Sequence, residues 1–293
     1  MNNYHQPVLL EDCLTLLNLQ EDDIFVDCTI GYAGHSLPCY DIIKEHGQLI
    51  GIDQDQTAFD HCTSVFKGQK NVSLFNDNYS NIHSCLSSLS LTHTNKILLD
   101  LGMSSVQLDS AERGFSFQHD SPLDMRMNQH APQTAHDILH SYSHKELSDM
   151  FFYKGELRQN KILSEKIIQA RHIGLKTTQD LVNIVKKSYF FNNSRHKYMK
   201  TLSQVFQALR IETNQEFKHL TLFLNSLENI LVQQGRVVII SFHSLEDRLI
   251  KHFFNQHKDI YKKINKKVIK ASQEEIKTNP RAHSAIVRAY EKL

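Results

Sequence analysis

The sequence lacks any apolar run that could cross a lipid bilayer, which needs about 20 consecutive apolar residues. Its first residues, Met-Asn-Asn-Tyr-His-Gln-Pro, also lack the basic and apolar regions of a secretory signal peptide. We therefore expect a cytoplasmic protein with no membrane partner. With 293 residues, of which 40% are hydrophobic and 22% charged, the chain can bury a substantial core as one large domain or two smaller ones.

Cysteine is scarce and confined to the first third of the chain, at Cys13, Cys28, Cys39, Cys62 and Cys85. No two cysteines have the Cys-x-x-Cys spacing typical of zinc sites, and their positions do not indicate a disulfide framework. We expect buried free thiols and no metal site.

Neither of the common glycine-rich nucleotide-binding motifs is complete. Residues 24–26 are an apolar run typical of a buried strand, which ends at Asp27 and is followed by Gly31 and Gly34. Two glycines do not make Gly-x-Gly-x-x-Gly, and no Gly-Lys-Ser/Thr follows, so a Walker loop is excluded. The loop alone fits either an ordinary strand-to-helix turn or the first unit of a nucleotide-binding α/β domain.

Further apolar strands are predicted after this loop, separated by helical patterns. They cover residues 48–53, 72–75 and 97–101, then 236–241 and 284–290, with Ser244 as the expected N-cap of the helix after the fifth strand. Near-continuous apolar strands between helices are typical of a parallel sheet covered on both faces. Between the fourth and fifth strands the patterns are helical, and Ser143 and Thr177 open two predicted capping boxes.

These patterns predict an α/β fold: a doubly wound, Rossmann-like, mostly parallel sheet with an inserted all-helical domain. The sheet domain is predicted over residues 1–112 and 212–293, and the helical insert over residues 113–211.

Three of the predicted strands end in an aspartate, at Asp27, Asp53 and Asp100. Ligands of open parallel sheets bind beyond the carboxyl ends of the strands. Asp53 suits the two ribose hydroxyls of an adenosine, as in NAD and S-adenosylmethionine enzymes, although it could instead cap a helix. Several acids near the loop would repel a pyrophosphate but attract the sulfonium and ammonium groups of S-adenosylmethionine, which favours the methyl donor over NAD.

The sequence also carries long motifs that resemble those of the ribosomal RNA small-subunit methyltransferase H family, also called MraW. The most specific stretches are residues 113–127 and 241–248. The others are residues 5–11, 27–36, 51–55, 98–105, 107–109 and 206–211. The resemblance covers nearly the whole chain. It implies a class I methyltransferase that transfers a methyl group from S-adenosylmethionine to N4 of a cytidine in the decoding region of 16S ribosomal RNA, within the small ribosomal subunit.

The resemblance further implies a set of site residues. The donor site falls by position on Ala33, Gly34, His35, Asp53, Tyr79, Asp100 and Gln107. Ala33 stands where the family usually has glycine. Asp100 is expected to orient the donor or the cytosine amine, whose lone pair is delocalised and needs orienting acceptors. Ser241, His243 and Asp124 are the further catalytic candidates.

Acidic residues are absent between Asp180 and Glu212, a stretch that contains six basic residues. A second basic segment, residues 251–270, contains seven lysines and one acid, Asp259. Such segments are either solvated faces or phosphate-binding surfaces. With an RNA substrate, we expect the insert and this segment to contact it. Two alternatives remain open from the sequence: an NAD-dependent oxidoreductase, and a non-catalytic RNA-binding ribosome-assembly factor on a methyltransferase fold.

Overall fold

The computed structural model describes residues 6–293, so His5, the first residue of the first family motif, lies outside the described residues. The chain forms two compact units. The sheet unit contains the chain up to Gly102 and again from Phe217 onward, and the helical unit is Met103–Glu216. The predicted insert, residues 113–211, falls inside the helical unit. No helix in residues 6–293 is both long and apolar enough to cross a membrane.

The sheet unit is built on one mixed sheet. Its strands are β1 (Ile24–Asp27), β2 (Gln48–Ile52), β3 (Val72–Phe75), β4 (Thr94–Asp100), β5 (Leu231–Ser241), β6 (Tyr261–Lys263), β7 (Ile269–Lys270) and β8 (Ile286–Lys292). The strand order is β3-β2-β1-β4-β5-β8-β6, and β7 pairs with β8. Strands β1 to β5 are parallel, whereas β8 runs antiparallel to β5, β6 and β7. The predicted α/β class with a mostly parallel sheet is confirmed.

Thirteen α-helices accompany the sheet in residues 6–293. Those before the helical unit are α1 (Leu10–Leu17), α2 (Ser36–Ile43), α3 (Gln56–Val65) and α4 (Ile82–Ser88). Those of the helical unit are α5 (Ser105–Asp109), α6 (Ala135–Ser141), α7 (His144–Gly155), α8 (Asn160–Ala170), α9 (Thr178–Ser188) and α10 (Arg195–Thr213). The chain then continues through α11 (Glu216–Ile230), α12 (Ser244–Gln256) and α13 (Gln273–Thr278).

Both faces of the sheet are buried, which explains why the parallel strands read as nearly continuous apolar runs. Successive side chains of a strand point to opposite faces. Phe25 and Leu49 accordingly pack in one apolar cluster with α1 and α2, while Val26 and Ile50 pack in another with α4 and α11. This double cover leaves the ends of the strands as the place where polar side chains can gather.

The structure corrects the sequence prediction at several places, and it also shifts the bounds of the fourth and last strands, to Thr94–Asp100 and Ile286–Lys292. The N-cap of α12 is His243 rather than Ser244. Strand β5 begins at Leu231, five residues before the predicted start, because Leu231 pairs with Thr94 across a register shift. The short strands β6 and β7 were not predicted, since they carry lysines rather than an apolar pattern and depend on pairing with β8. The capping boxes at Ser143 and Thr177 are confirmed.

Candidate active site

The carboxyl ends of the parallel strands bring three carboxylates to one edge of the sheet unit. Asp27 is the last residue of β1, Asp100 is the last residue of β4, and Asp53 directly follows β2. Because β1 lies between β2 and β4, these three side chains come from neighbouring strands. We call the carboxyl ends of these strands, with Asp27, Asp53 and Asp100, the aspartate edge.

Asp27 organises the loop that leaves β1. Its buried carboxylate accepts hydrogen bonds from the Ser36 hydroxyl at 2.6 Å and from the Thr29 backbone N–H at 3.1 Å. The hydroxyl oxygen of Thr29 in turn accepts the backbone N–H of Asp100 at 2.7 Å. Burial raises the pKa of Asp27 to about 6 despite these two donors. The network ties the start of α2 and the end of β4 to the end of β1.

Asp53 fixes the middle of the same loop. One carboxylate oxygen accepts the Gly31 N–H and the other the Asp55 N–H, both at 2.9 Å. The cap of α3 is Asp55, whose carboxylate accepts the Thr57 N–H, so Asp53 is not the helix cap. Each oxygen of an ionised carboxylate has two acceptor sites, so one on each oxygen remains for hydroxyl groups such as those of a ribose. Burial raises the pKa of Asp53 to about 6.

The loop itself, residues 28–35, is held in a conformation that glycine normally favours. Gly31 has φ +51° and Ala33 has φ +63°, and Ala33 is fully buried. An alanine in this left-handed region costs roughly 1 kcal/mol. The resemblance implies a glycine at this position, and glycine adopts the left-handed backbone without that cost. This loop leads directly into α2, whose first residue, Ser36, donates its hydroxyl to Asp27.

His35 and Asp100 meet at the centre of the aspartate edge. The buried His35 ring donates from Nε2 to the Val8 carbonyl at 2.9 Å, and burial lowers the pKa of His35. In the neutral ring Nδ1 then carries a lone pair, and this atom lies 3.8 Å from Oδ2 of Asp100. His35 therefore offers Asp100 no hydrogen bond.

Asp100 has an unsatisfied oxygen. Its Oδ1 atom is buried and has no hydrogen-bond partner among residues 6–293. Burial, followed by the charges of Asp27 and Glu246, raises the pKa of Asp100 well above its ordinary value. A buried carboxylate without a donor is costly, and a cationic or hydrogen-bond-donating ligand would remove that cost. The edge is thus electrostatically suited to a positively charged ligand with hydroxyl groups, which fits the sulfonium, ammonium and ribose of S-adenosylmethionine.

Tyr79 begins a single helical turn, Tyr79–Asn81, after β3. Its ring is nine-tenths buried and packs edge-on against Phe223, with the ring centroids 5.8 Å apart. The next residue, Ser80, is hydrogen-bonded to Nδ1 of His219 at 3.0 Å, which anchors this turn to α11. Tyr79 is therefore rigidly placed, with only a small part of its ring accessible to a ligand.

Ser241 and His243 follow the end of β5. Ser241 is buried, and its hydroxyl lies 3.5 Å from the Ile286 carbonyl on β8, a long contact within the sheet. His243 caps α12: its Nδ1 accepts the Glu246 N–H at 3.3 Å, while Oε2 of Glu246 accepts the N–H of Phe242 at 3.0 Å. Nε2 of His243 lies 3.2 Å from Oε1 of Glu246. Both candidates thus have structural contacts in addition to any catalytic role.

Two predicted residues belong to the helical unit. Gln107 forms a capping box at the start of α5, where its side chain accepts the Ser104 N–H at 3.1 Å. Asp124 forms a two-pronged ion pair with Arg126, at 2.9 and 2.7 Å, so its carboxylate is satisfied within its own loop. The structure thus brings five of the predicted residues together around the loop of residues 28–35: Ala33, Gly34, His35, Asp53 and Asp100. Gln107 and Asp124 belong to the helical unit.

Comparison with known proteins gives the family. The sequence profile described as the MraW methylase family matches residues 2–293. The chain belongs to the MraW methylase family. It is similar to the ribosomal RNA small subunit methyltransferase H of Ruminiclostridium cellulolyticum, with 38% identity over 99% of each chain. Among solved structures, an rRNA methylase from Streptococcus thermophilus aligns over 97% of this chain and 93% of that one, with 10% identity and a TM-score of 0.41. A methyltransferase homologue from Pyrococcus horikoshii aligns over 99% and 67%, with 13% identity and a TM-score of 0.46.

Membership of this family confirms that the chain is a methyltransferase with S-adenosylmethionine as its methyl donor, as the sequence predicts. The alternative of an NAD-dependent oxidoreductase is wrong.

Three residues that shape the aspartate edge were not among the predicted site residues. Thr29 and Ser36 connect Asp27 to Asp100 and to α2, and Glu246 holds the turn after β5 and adds its charge beside Asp100. The signal for Glu246 was present, because His243 and Glu246 have the spacing of a capping box. Thr29 and Ser36 lie inside the motif of residues 27–36, but their roles are not readable from it because their contacts depend on the path of the loop.

Proposed function

We propose that this methyltransferase acts on N4 of a cytidine in 16S ribosomal RNA, within the small ribosomal subunit. The observation that carries the substrate class is the similarity to ribosomal RNA small subunit methyltransferase H, which extends over 99% of both chains at 38% identity. Because the two proteins align from end to end, the substrate-binding parts are covered as well as the donor site. The cytoplasm is the compartment in which we place this activity.

The aspartate edge supplies the donor site in this proposal. S-adenosylmethionine supplies an electrophilic methyl group on a sulfonium when bound. Asp53 accepts hydrogen bonds from the ribose hydroxyls, for which its oxygens retain acceptor sites. The unpartnered Oδ1 of Asp100 accepts a hydrogen bond from the ammonium or from the cytosine amine. Asp27 holds Ser36 and Thr29, and so keeps the loop and Asp100 in place before the ligand arrives.

The thiols of the chain support an amine rather than a ring carbon as the methyl acceptor. Methylation at C5 of a pyrimidine needs a nucleophile such as a cysteine thiolate to activate the ring. All five cysteines are buried free thiols, and burial raises the pKa of Cys62 to about 12 and of Cys85 to about 11. Cys28 directly follows β1, and burial raises the pKa of its thiol well above the ordinary value. An exocyclic amine needs only orientation and electrostatic complementarity.

We further propose that the helical insert, predicted as residues 113–211, recognises the RNA. The basic stretch between Asp180 and Glu212 is exposed at Lys186, Lys187, Arg195, Lys197 and Lys200. The same surface carries Phe190, which is 82% exposed on the loop between α9 and α10. Exposed aromatic rings among cations are typical of surfaces that stack on unpaired RNA bases.

The test is methyl transfer from an isotopically labelled donor to small ribosomal subunits isolated from cells that lack the endogenous activity. We expect label in 16S ribosomal RNA, in a cytidine nucleoside, and none in large subunits treated in parallel. Donor binding without transfer to any small-subunit RNA would instead support the non-catalytic assembly factor and would contradict this proposal.

A further inference from the structure

A cavity of about 500 Å³ lies in the sheet unit, away from the aspartate edge. We call it the basic pocket; it is lined by residues of α12, β6 and β8 and of the short segment between α12 and β6. Its floor is aromatic: the rings of Phe254 and Tyr290 are stacked, with centroids 3.6 Å apart, and Tyr261 meets Phe254 edge-on at 5.2 Å. These three rings are at most 5% exposed, so they form a fixed apolar base.

The charged side chains that line the basic pocket are all basic. Lys251, Lys258, Lys262, Lys263 and Arg288 line it, and no Asp or Glu does so in the described part of the chain. Arg288 is neutralised by Asp247 through contacts of 2.6 and 3.0 Å, and Lys262 lies 3.5 Å from Glu291. The other three lysines form no ion pair within residues 6–293.

Lys263 lies near other cations, and its ammonium also donates to the Lys266 carbonyl at 2.9 Å. Burial lowers the pKa of Lys263, and the next causes are repulsion from Arg288 and from Lys251. Cations that repel one another in the empty protein are stabilised when an anion binds between them. A role as helix-dipole partner suits Lys258, which follows the C-terminus of α12, but not Lys251 in the middle of that helix or Lys263 on a strand.

The strand register locates the basic pocket relative to the site of methyl transfer. Tyr290 pairs with Val237, four residues before Ser241 at the carboxyl end of β5. Strand β6 lies two strands beyond β5 in the sheet. Asp100 pairs with Ile240, three residues from Val237, and β6 lies three strands from β4. With a rise of about 3.4 Å per residue and a strand spacing of about 4.8 Å, the pocket lies roughly 18 Å from Asp100. That span corresponds to about five phosphates along one nucleic-acid strand at 3.4 Å each.

We propose that the basic pocket binds a backbone phosphate of the RNA substrate, several nucleotides away from the methylated base. This inference rests on the proposed function and identifies where one phosphate is held. Phosphate contacts fix the register of a nucleic acid without reading its sequence, and the site of methyl transfer needs such a register. Lys251, which forms no ion pair within residues 6–293, and Lys263, whose ammonium keeps two further N–H donors beside its bond to Lys266, supply the charges that face the anion.

The experiment compares the wild-type chain with the double variant Lys251→Gln/Lys263→Gln. The matched control is Lys67→Gln/Lys70→Gln, which removes the same charge from two exposed lysines beside β3, at the opposite edge of the sheet. Binding to a fluorescently labelled, unmodified 16S ribosomal RNA transcript is measured between low and high salt. Calorimetric titration with S-adenosylmethionine is performed on all three proteins.

We expect the pocket variant to bind the transcript roughly tenfold more weakly than wild type at low salt. The plot of log affinity against log salt concentration should become less steep by about 0.7–0.9, because one phosphate contact is lost. Donor affinity should stay unchanged, and the control variant should keep most of the wild-type affinity and slope. If the pocket and control variants lose equal affinity and slope, the charges act only through the general field and the proposal is overturned. If wild-type protein binds the transcript and methylates small subunits while the pocket variant matches it, the proposed function stands and the pocket assignment fails. If wild-type protein neither binds nor methylates, both fail.

Discussion

Replacing Asp100 by asparagine separates stability from ligand binding at the aspartate edge. In the ligand-free protein, Oδ1 of Asp100 is buried without a partner, and the lone pair on Nδ1 of His35 lies 3.8 Å from Oδ2. An asparagine removes the charge, and its amide N–H can donate toward His35. We therefore expect the Asp100→Asn variant to be more stable than wild type without ligand and to bind S-adenosylmethionine more weakly.

The magnitudes follow from the contacts. Leaving one buried acceptor atom without a partner costs about 1–3 kcal/mol, so the variant should gain up to about that amount in free energy of unfolding. In a chain of this size each kcal/mol corresponds to about 2–4 °C in Tm. Loss of a charged hydrogen-bond acceptor should cost about 1.5–3 kcal/mol of donor binding, a decrease of roughly 10- to 150-fold in affinity.

The pH dependence gives this prediction a distinct sign. The pKa of Asp100 is raised in the folded protein relative to the unfolded chain, where it is near 4. Its favourable contribution to the free energy of unfolding is therefore complete below pH 4 and is lost as the pH rises through the pKa of the folded protein. The stability advantage of the variant should accordingly grow from pH 5 to pH 8. Thermal unfolding without ligand and calorimetric titration measure both effects. The matched control is Asp41→Asn, an exposed aspartate on α2, which should change neither quantity. A variant that is less stable than wild type at pH 8, or that binds the donor equally well, would refute the reasoning.

Three further predictions concern the rest of the molecule. Burial raises the pKa of both Asp27 and Asp53 to about 6. The affinity for S-adenosylmethionine, measured by calorimetry, should therefore fall as the pH drops below 6, by up to tenfold per pH unit for each carboxylate. An affinity that stays constant down to pH 5 would contradict this prediction. Gly51→Ala should lower the free energy of unfolding, measured in urea, by about 1–3 kcal/mol, because the added methyl group overlaps Ile30 and lies 2.8 Å from Leu74. An unchanged urea midpoint would show that the neighbouring side chains move to accommodate the methyl group. Phe190→Ala should weaken binding of unmodified 16S transcript by about 1–3 kcal/mol without lowering Tm, since stacking on one base is lost; binding equal to that of Phe190→Tyr would exclude stacking.

The sequence identifies the sheet but not the contacts between its loops. The parallel strands can be predicted because both of their faces are buried, which makes each strand a nearly continuous apolar run. Asp27, Asp53 and Asp100 can be predicted as strand-end residues because each of them ends such a run. Strands β6 and β7 are not readable, since their pairing is imposed by β8. The link from Asp27 through Thr29 to Asp100 includes a hydrogen bond between residues 71 positions apart in the chain, which no local pattern specifies.

The N-cap of α12 is a second feature that local sequence patterns do not specify. Histidine is not among the residues preferred at an N-cap, so propensity favours Ser244 as the cap of α12. In the folded chain, Nδ1 of His243 accepts the Glu246 N–H, and Glu246 accepts the N–H groups of Phe242 and His243. The buried Glu246 carboxylate fixes this turn, so tertiary burial rather than intrinsic propensity decides the cap.

The identity of the methylated nucleoside tests the account most directly. Small ribosomal subunits from cells that lack the endogenous activity are incubated with the wild-type chain and a deuterated methyl donor. The 16S ribosomal RNA is then digested to nucleosides and analysed by mass spectrometry against authentic standards. We predict that the deuterated methyl group appears on N4 of cytidine and is absent when the enzyme is omitted. Label in 5-methylcytidine or in a 2′-O-methylated nucleoside would contradict the account, because neither the buried thiols nor the aspartate edge explains those products.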